Sequence, residues 1–204
     1  MTSTETITAM ALPTTQKALI GLQDGSLTLS TTVAVPPLED DMVMVRTRAI
    51  GLNPIDTKMR GELAAPGAVA GMDFSGEVLA VGAAFASPAQ VRPGDRVCGA
   101  VIGYQAHKPA IGAFAEIVGA TDCGLLRIPD DWSFEQGASF GVAIGTMGLA
   151  LFHSLNVPGS PKTPAEKPVD VFVYGGSTTT GTLAIQLLKL CVSCTSYLPT
   201  LSNY

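Results

Sequence analysis

The sequence predicts an α/β protein in which a β-rich, barrel-like domain precedes the first strand–helix unit of a doubly wound domain. Short apolar runs separated by Gly, Pro and Asp fill residues 16–128, which is the pattern of many short strands. An apolar run, a glycine turn and an apolar helical stretch fill the start of residues 169–204. Residues 129–168 form a helical connection and linker between the two. Since 47% of the 204 residues are hydrophobic and 14% are charged, the chain can build a substantial core.

Seven apolar runs in the first domain are predicted as strands. Several alternate with period two, as Val, Val and Thr do against Met, Arg and Arg over residues 43–48. Pro and Gly stand where tight reversals need them, for example in VRPGD at 91–95. The predicted strands cover residues 18–20, 27–35, 42–50, 74–81, 95–102, 113–118 and 125–128.

Beyond Pro129 the pattern becomes helical. Ser133 and Gln136 have the spacing of a capping box, so a helix should begin after Ser133. A second helix is expected from Gly145 or Thr146 to residue 155, with Thr146 as a simple N-cap by default. Residues 157–167 read as a surface linker.

The last organised stretch is VDVFVYGGSTTTGTLAIQLLK at 169–189. It predicts a buried strand over 169–174, a turn, and a helix from about Thr179. Gly176, Thr178 and Gly181 occupy the spacing G-x-G-x-x-G, with threonine at the middle position. Such a turn brings backbone N–H groups to the pyrophosphate of a dinucleotide. The alternative is a glycine-rich turn that binds no ligand.

Charge and composition argue against several classes of protein. A net charge of −5 is unlike that of a protein that binds nucleic-acid backbones. The N-terminal residues have no basic region and no long apolar run, so they do not form a signal peptide. No stretch approaches the ~18 uninterrupted apolar residues of a membrane span. We therefore expect a cytoplasmic protein without a nucleic-acid or membrane partner.

The four cysteines, Cys98, Cys123, Cys191 and Cys194, are too few and too scattered for a disulfide framework. Cys191 and Cys194 form a C-x-x-C, but no second pair or histidine lies near them in the sequence. We interpret them as ordinary residues, and a metal or redox role is the alternative.

Two further patches carry polar side chains at the ends of apolar runs. In AIGLNPIDTKM at 49–59, Asn53 begins a turn, and Asp56, Thr57 and Lys58 should face one way from a helical turn. The alternative is a strand-end turn with a solvated lysine. In FGVAIGTM at 140–147, Thr146 is the only hydroxyl.

Together these patches resemble the medium-chain dehydrogenase/reductase superfamily, and specifically its zinc-free branch of quinone and enoyl reductases. GLNPIDTKMRG, PGAVAGMDFSGEVLAVG, RPGDRVCG, GAFAEIV, IPDDWSFEQGAS, GTMGLAL and VYGGSTTTGTLAIQLLK follow that family's order over residues 16–189. The NPIDTKMRG block and the GGST turn are most similar to the fungal trans-acting enoyl reductases that serve polyketide synthases. The resemblance implies a GroES-like β-barrel catalytic domain followed by a Rossmann-type cofactor domain.

No zinc is expected. In the zinc alcohol dehydrogenases of this superfamily, a Cys and a Gly-His-Glu block supply catalytic ligands. The corresponding places here hold Asn53 with Pro54, and Gly71 with Met72 and Asp73. The two histidines, His107 and His153, are not paired with other ligands at a metal spacing.

The resemblance implies that NADPH delivers hydride to the β-carbon of an α,β-unsaturated thioester, which is carried by a partner polyketide synthase. This addition needs no Lewis acid, but the charge that develops on the thioester oxygen needs positioned donors. The resemblance assigns cofactor binding to Ile55, Asp56, Thr57, Lys58, Ser177, Thr178, Thr179 and Thr180. It assigns substrate binding to Thr146, Met147, Leu149, Ala150 and His153, with Lys58 and Thr146 as the catalytic candidates.

The chain is expected to be truncated or mis-spliced within the cofactor domain. A doubly wound sheet needs several further strand–helix units, and residues 190–204 carry no charge. A natural short paralogue is the alternative. The residue that selects NADPH over NADH usually follows the next strand, so NADPH rests on resemblance alone. A quinone or enone oxidoreductase and a truncated, non-catalytic product remain alternative functions, and monomer and homodimer are both left open.

Overall fold

The structure, a computed structural model, describes residues 12–59, 63, 65–85, 91–121, 124–167 and 169–192. The chain divides into two compact units, the first ending at Gly141 and the second beginning at Val142. Two of the cysteines considered above, Cys123 and Cys194, lie outside the described residues.

The first unit contains seven described strands in two antiparallel sheets. The strands are β1 Thr15–Gly21, β2 Leu27–Ala34, β3 Met42–Gly51, β4 Asp73–Val81, β5 Arg96–Ala100, β6 Ile117–Thr121 and β7 Leu125–Arg127. β1 pairs with β2, and the larger sheet has the order β6-β3-β4-β5-β7. All seven predicted strands are confirmed, although β6 begins four residues later than the run at 113–118 suggested.

The core of this unit lies on both faces of the first half of β3. Val43 and Val45 pack with Phe74 in the main cluster, whereas Met42 and Met44 pack in a second cluster on the opposite face. All of them are buried. The continuous apolar run at the start of β3 is therefore explained by burial on two sides, and its end carries the polar residues of the candidate site.

A short helix, α1 Phe134–Ala138, packs on β3, β4 and β5. Its predicted capping box is confirmed: the Gln136 N–H donates to Ser133 Oγ at 3.2 Å, and the Ser133 N–H donates to Gln136 Oε1 at 2.8 Å. The Arg96 guanidinium fixes the segment before it by donating to the carbonyl groups of Pro129, Asp130 and Trp132.

Three helical elements account for the described regular structure of the second unit. α2 Gly141–Gly148 crosses the unit boundary and leads into a π-helix, Leu149–Ser154, and α3 covers Thr179–Cys191. The predicted helix start near Thr179 is confirmed. The predicted start at Gly145 or Thr146 is wrong, because α2 begins at Gly141. Thr146 is thus no N-cap, and its hydroxyl donates to the Val142 carbonyl one turn earlier, at 2.7 Å.

The predicted buried strand at 169–174 is absent. Residues 169–173 have no regular secondary structure and belong to neither sheet, and Phe172 and Tyr174 are 64% and 74% exposed. Val169, Val171 and Val173 pack against the cluster built by Leu151, Leu188 and their neighbours. The alternation of a strand is present, but none of the described residues pairs with this backbone.

One helical run within the described residues, Phe134–Ser154, is long and apolar enough to cross a membrane by length and composition alone. Core helices of proteins that cross no membrane can pass the same test. The absence of a membrane partner therefore stays a prediction.

Candidate functional site

The strand end at β3 carries a 3₁₀ turn, Pro54–Thr57, that presents the predicted cofactor residues. Pro54 sits at the first position, where its fixed φ suits a helical turn. The Asp56 carboxylate closes the turn, accepting a hydrogen bond from the Asn53 N–H at 2.7 Å. The Tyr104 hydroxyl donates to the Asp56 carbonyl at 3.3 Å. Tyr104 itself has φ of 60°, a left-handed backbone that bulky residues rarely adopt.

The side chains of this turn do not face one way, which corrects the sequence prediction. Asp56 is only 8% exposed, whereas Thr57 and Lys58 are exposed and Ile55 is half-buried. Burial raises the pKa of Asp56, opposed by the hydrogen bond from Asn53. None of the described residues donates a hydrogen bond to its Oδ1 atom. Asp56 shapes the turn from inside, and Thr57 and Lys58 are the side chains that a ligand can reach.

Asn53 links this turn to a second buried carboxylate. Its Nδ2 donates to Asp73 Oδ2 at 2.9 Å, and Asp73 is 2% exposed at the start of β4. These are the positions that the superfamily's zinc enzymes use for ligands and their neighbours, and here an amide and a carboxylate satisfy each other. In the part of the chain that the structure describes, no three His, Cys, Asp or Glu side chains group as a metal site. This donor set favours the prediction of a zinc-free protein.

Glycines allow the backbone to close tightly around Asp73. A Cβ on Gly51 would lie 2.8 Å from the Asp73 Cβ, and one on Gly141 would lie 2.5 Å from Asp73 Oδ1. The neighbouring Cys98 thiol has its pKa raised to about 11, mainly by burial and further by the Asp73 carboxylate. Asp73 is thus enclosed by the first unit and contributes its charge without exposure to solvent.

The glycine turn of the second unit has the features of an anion site. Gly175 has φ of +76°, and Thr178 caps α3: its Oγ1 accepts from the Gly181 N–H at 3.1 Å and donates to the Gly175 carbonyl at 2.8 Å. The first backbone bond within this helix comes from Thr182, so the N–H groups of Thr179 and Thr180 point to the turn. The hydroxyl of Thr178 is therefore engaged within the chain, so that the predicted phosphate contacts would involve its neighbours.

Ser177 and Thr179 are exposed at this turn, and Thr180 is half-buried. A Cβ on Gly181 would overlap the Gly175 carbonyl oxygen and lie 2.9 Å from the Gly176 Cα. The glycine at 181 therefore permits the close contact between helix and turn that a dinucleotide fold requires.

The predicted substrate residues follow one helical segment. Thr146, Leu149 and His153 are exposed, with Leu149 at 63%, and Ala150 is half-buried. Met147 instead packs toward the apolar cluster of its own unit. The turn in this segment widens to a π-helix, shown by the Leu155 N–H donating to the Ala150 carbonyl at 3.0 Å. Such π segments are frequent at functional sites.

In the first unit, the structure places the predicted cofactor residues at positions 55–58 on one turn. In the second unit, the predicted substrate residues at 146–153 lie on one helical segment, and the predicted phosphate residues at 177–180 lie at the start of α3. Sequence reasoning missed the enclosing roles of Tyr104 and Asp73. A carboxylate at the head of an apolar strand was the one signal for Asp73, whereas nothing local indicates that the Tyr104 hydroxyl reaches a turn 48 residues away.

Comparisons with known proteins agree with this architecture. Residues 39–130 match the family Alcohol dehydrogenase GroES-like domain. The chain is 52% identical over 179 residues to trans-enoyl reductase FSL5 of Gibberella zeae, which covers 88% of this chain and 50% of that protein. It is 50% identical over 175 residues to trans-enoyl reductase fsa3 of a Fusarium species, covering 86% and 49%.

Solved structures give the same fold. The human synaptic vesicle membrane protein VAT-1 homolog-like protein aligns with a TM-score of 0.70 at 26% identity, covering 93% of this chain and 57% of that one. The quinone oxidoreductase of Coxiella burnetii aligns with a TM-score of 0.68 at 28% identity, covering 93% and 57%.

The match to the alcohol dehydrogenase GroES-like domain covers β3 to β7 of the first unit. The resemblance to the medium-chain quinone and enoyl reductases, and within them to the trans-enoyl reductases, is confirmed. The chain spans about half the length of the curated relatives it matches.

Proposed function

We propose that this chain provides the GroES-like catalytic domain and the start of the cofactor domain of a trans-acting enoyl reductase. Its reaction would be NADPH-dependent reduction of an α,β-unsaturated thioester carried by a partner polyketide synthase, in the cytoplasm. The observation that carries the proposal is the identity of about half of all aligned residues to proteins named trans-enoyl reductases.

The glycine turn fits the phosphates of a nicotinamide dinucleotide. Donors for an anion are the backbone N–H groups of Thr179 and Thr180 at the start of α3 and the exposed hydroxyl of Ser177. Gly175 adopts the left-handed backbone of the turn, and Gly181 lets the turn approach the helix closely. NADPH, once bound, supplies the hydride. The choice of NADPH over NADH follows from the resemblance of the sequence motifs alone.

Lys58 is the best donor for the thioester oxygen. It follows the 3₁₀ turn, its backbone N–H donates to the Ile55 carbonyl at 2.9 Å, and its ammonium group is exposed. A positioned cation stabilises the negative charge that develops on that oxygen during hydride addition. The turn orients Lys58, because Asp56 and Asn53 hold its interior in place.

Thr146 is a weaker donor than the sequence suggested. Its hydroxyl hydrogen is already given to the Val142 carbonyl, which leaves only lone pairs for a ligand. We therefore assign it to acceptance of a substrate or cofactor hydrogen bond, with Leu149, Ala150 and His153 bordering the acyl chain. Met147 supports this segment from the packed side.

The test uses the 204-residue chain with NADPH deuterated at C4 and an enoyl thioester on a carrier protein. Mass spectrometry should find one deuterium at the β-carbon of the product. Lys58→Met should lower the rate by about 100- to 1000-fold, the range for loss of one oxyanion donor. The control Lys162→Met changes an exposed lysine of the 157–167 segment and should leave the rate unchanged.

The outcomes separate the alternatives. Faster turnover of a free quinone or enone than of the carrier-bound thioester would favour a quinone oxidoreductase, which the likeness to the Coxiella protein supports. If the chain neither binds NADPH nor transfers deuterium, the alternative of a non-catalytic product is favoured.

A further inference from the structure

Residues 160–163 form a tight turn in the linker, with two hydroxyl side chains that each precede a proline. Ser160 is followed by Pro161, and Thr163 is followed by Pro164. The Ser160 N–H donates to the Thr163 carbonyl at 2.9 Å, and the Thr163 N–H donates to the Ser160 carbonyl at 3.1 Å. The backbone of the turn is thus closed by two hydrogen bonds, which an enzyme that binds the linker can open at low cost.

The two hydroxyl groups differ in accessibility. Ser160 is half-buried, and its Oγ accepts a hydrogen bond from the Thr163 N–H at 3.1 Å. The preceding Gly159 has φ of +83°, and a Cβ there would overlap the Cys191 carbonyl oxygen, so the chain before Ser160 is closely packed. Thr163 is exposed, and none of the described residues makes a hydrogen bond to its Oγ1. Thr163 therefore carries the hydroxyl that a modifying enzyme can reach.

The linker continues from this turn onto the C-terminal end of α3. The Ala165 N–H donates to the Cys191 carbonyl at 2.8 Å, and Ala165 forms a bridge with Val192. Because Thr163 is two residues before Ala165, their Cα atoms are at most about 7 Å apart. The C-terminal end of a helix carries partial negative charge, so a new anion close to it is unfavourable. The glycine turn, capped by Thr178, lies at the other end of α3.

We propose that Thr163 is phosphorylated by a proline-directed protein kinase, and that the phosphate weakens the contact of the linker with α3. Pro164 supplies the proline that such a kinase requires after the acceptor, with a fixed φ and no N–H. Thr163 Oγ1 attacks the γ-phosphorus of MgATP, and its proton passes to the catalytic aspartate of the kinase. The bond between the γ-phosphorus and the β-phosphate oxygen breaks, and ADP leaves. The product carries about −1.5 to −2 charges at pH 7.

The charged side chains of the linker do not reverse this effect. Lys162 and Lys167 are exposed, and ion pairs between exposed groups contribute little. Glu166 is exposed as well, so the phosphate meets a carboxylate in addition to the negative end of the helix. We therefore expect the modified linker to lie less firmly on α3.

The site is tested on the 204-residue chain with MgATP and a mitogen-activated protein kinase, with mass spectrometry to locate the phosphate. Thr163 should be modified about 2- to 10-fold faster than Ser160, the rate equivalent of the hydrogen bond that Ser160 Oγ accepts. Pro164→Ala should abolish modification of Thr163, and Pro161→Ala is the matched control that should not lower it. The exchange of the two hydroxyl residues, Ser160→Thr with Thr163→Ser, should keep the preference for position 163.

Three results overturn the site. They are a chain that accepts no phosphate, a phosphate at Ser160 without one at position 163, and modification of Thr163 that survives Pro164→Ala. A phosphate at Ser87 alone also rejects the proposal; Ser87 precedes Pro88 and lies outside the described residues. If the preference follows threonine rather than position 163 in the exchanged variant, accessibility does not decide the site.

Hydrogen exchange tests the effect on α3. Peptides covering residues 187–191 should exchange about two- to fivefold faster in the phosphorylated chain, the range for one charge at a helix end. Peptides from β3 in the first unit are the internal control and should not change. Unchanged or slower exchange at 187–191 rejects the weakened contact. Neither measurement uses NADPH or an enoyl thioester, so this proposal can fail or succeed independently of the reductase function.

Discussion

Replacing Gly181 by alanine tests the contact between α3 and the glycine turn. The added Cβ would overlap the Gly175 carbonyl oxygen and lie 2.9 Å from the Gly176 Cα. Both neighbours are backbone, so they cannot rotate away. Overpacking of this kind costs about 1–3 kcal/mol, and the helix gains about 0.5–1 kcal/mol from alanine. The net expectation is a loss of roughly 1–2 kcal/mol in the stability of the second unit.

Gly145→Ala is the matched control, because a Cβ there meets no atom within 4 Å and Gly145 lies inside α2. The same chemical change should stabilise that helix by about 0.5–1 kcal/mol. Hydrogen exchange followed by mass spectrometry reads the two sites separately. Peptides from Thr179–Cys191 should exchange about 5- to 30-fold faster in Gly181→Ala, the rate equivalent of 1–2 kcal/mol, and those from Gly141–Gly148 more slowly in Gly145→Ala.

The opposite result would refute the reasoning. If Gly181→Ala slows exchange in α3 as Gly145→Ala does in α2, the helix and the turn are not in close contact. Close packing would then not require a glycine at position 181, and the argument for a pyrophosphate site at this turn would lose its structural basis.

Three further predictions concern the first unit. Arg96→Lys removes the guanidinium donors to three backbone carbonyl groups, which should lower the free energy of unfolding by about 1.5–3 kcal/mol. The melting temperature, followed by Trp132 fluorescence, should then fall by about 3–12 °C. An unchanged melting temperature would contradict this. Because burial raises the pKa of Asp56, the folded state keeps that proton to higher pH than the unfolded state. The free energy of unfolding of the wild type in urea, minus that of Asp56→Asn, should therefore decrease as pH rises from the unfolded pKa through the folded one and then stay constant. An increase of this difference with pH rejects the assignment. Burial raises the pKa of Cys98 to about 11, so its thiol is protonated at pH 8. Iodoacetamide at this pH should label Cys98 only after unfolding, as measured by mass spectrometry. Rapid labelling of the folded chain would contradict this, because it would show that the thiol is accessible.

How far the sequence could predict this structure depends on whether the deciding contacts are local. The strands of the first unit follow from alternation and from the Gly and Pro that bound them, so their existence was predictable. The capping box at Ser133 and the start of α3 near Thr179 are also local patterns. The prediction of a strand at 169–174 was wrong because a strand forms only beside a partner strand, and the local sequence does not show whether a partner is present.

The candidate site divides along the same line. Lys58 could be predicted as an exposed residue after a turn, since Asn and Pro begin such turns. The inward direction of Asp56 could not, because it depends on the Asn53 N–H and on a carbonyl contact from Tyr104, far along the chain. The position of Thr146 inside a helix was likewise hidden, since α2 begins at a glycine that packs against Asp73 rather than at a capping residue.

These contacts assign different tasks to neighbouring residues of one turn. Asn53 holds two buried carboxylates, that of Asp56 through its backbone N–H and that of Asp73 through its side chain. Because both carboxylates are buried and bonded, they fix the turn and leave its outer surface to Thr57 and Lys58. The backbone that carries the exposed Lys58 side chain is thus held in place from within the turn. In a zinc enzyme, a metal ion could serve as the Lewis acid at these positions, whereas here the polar contacts of Asn53 occupy the interior. The side chains that this turn leaves accessible to a ligand are therefore those of Thr57 and Lys58.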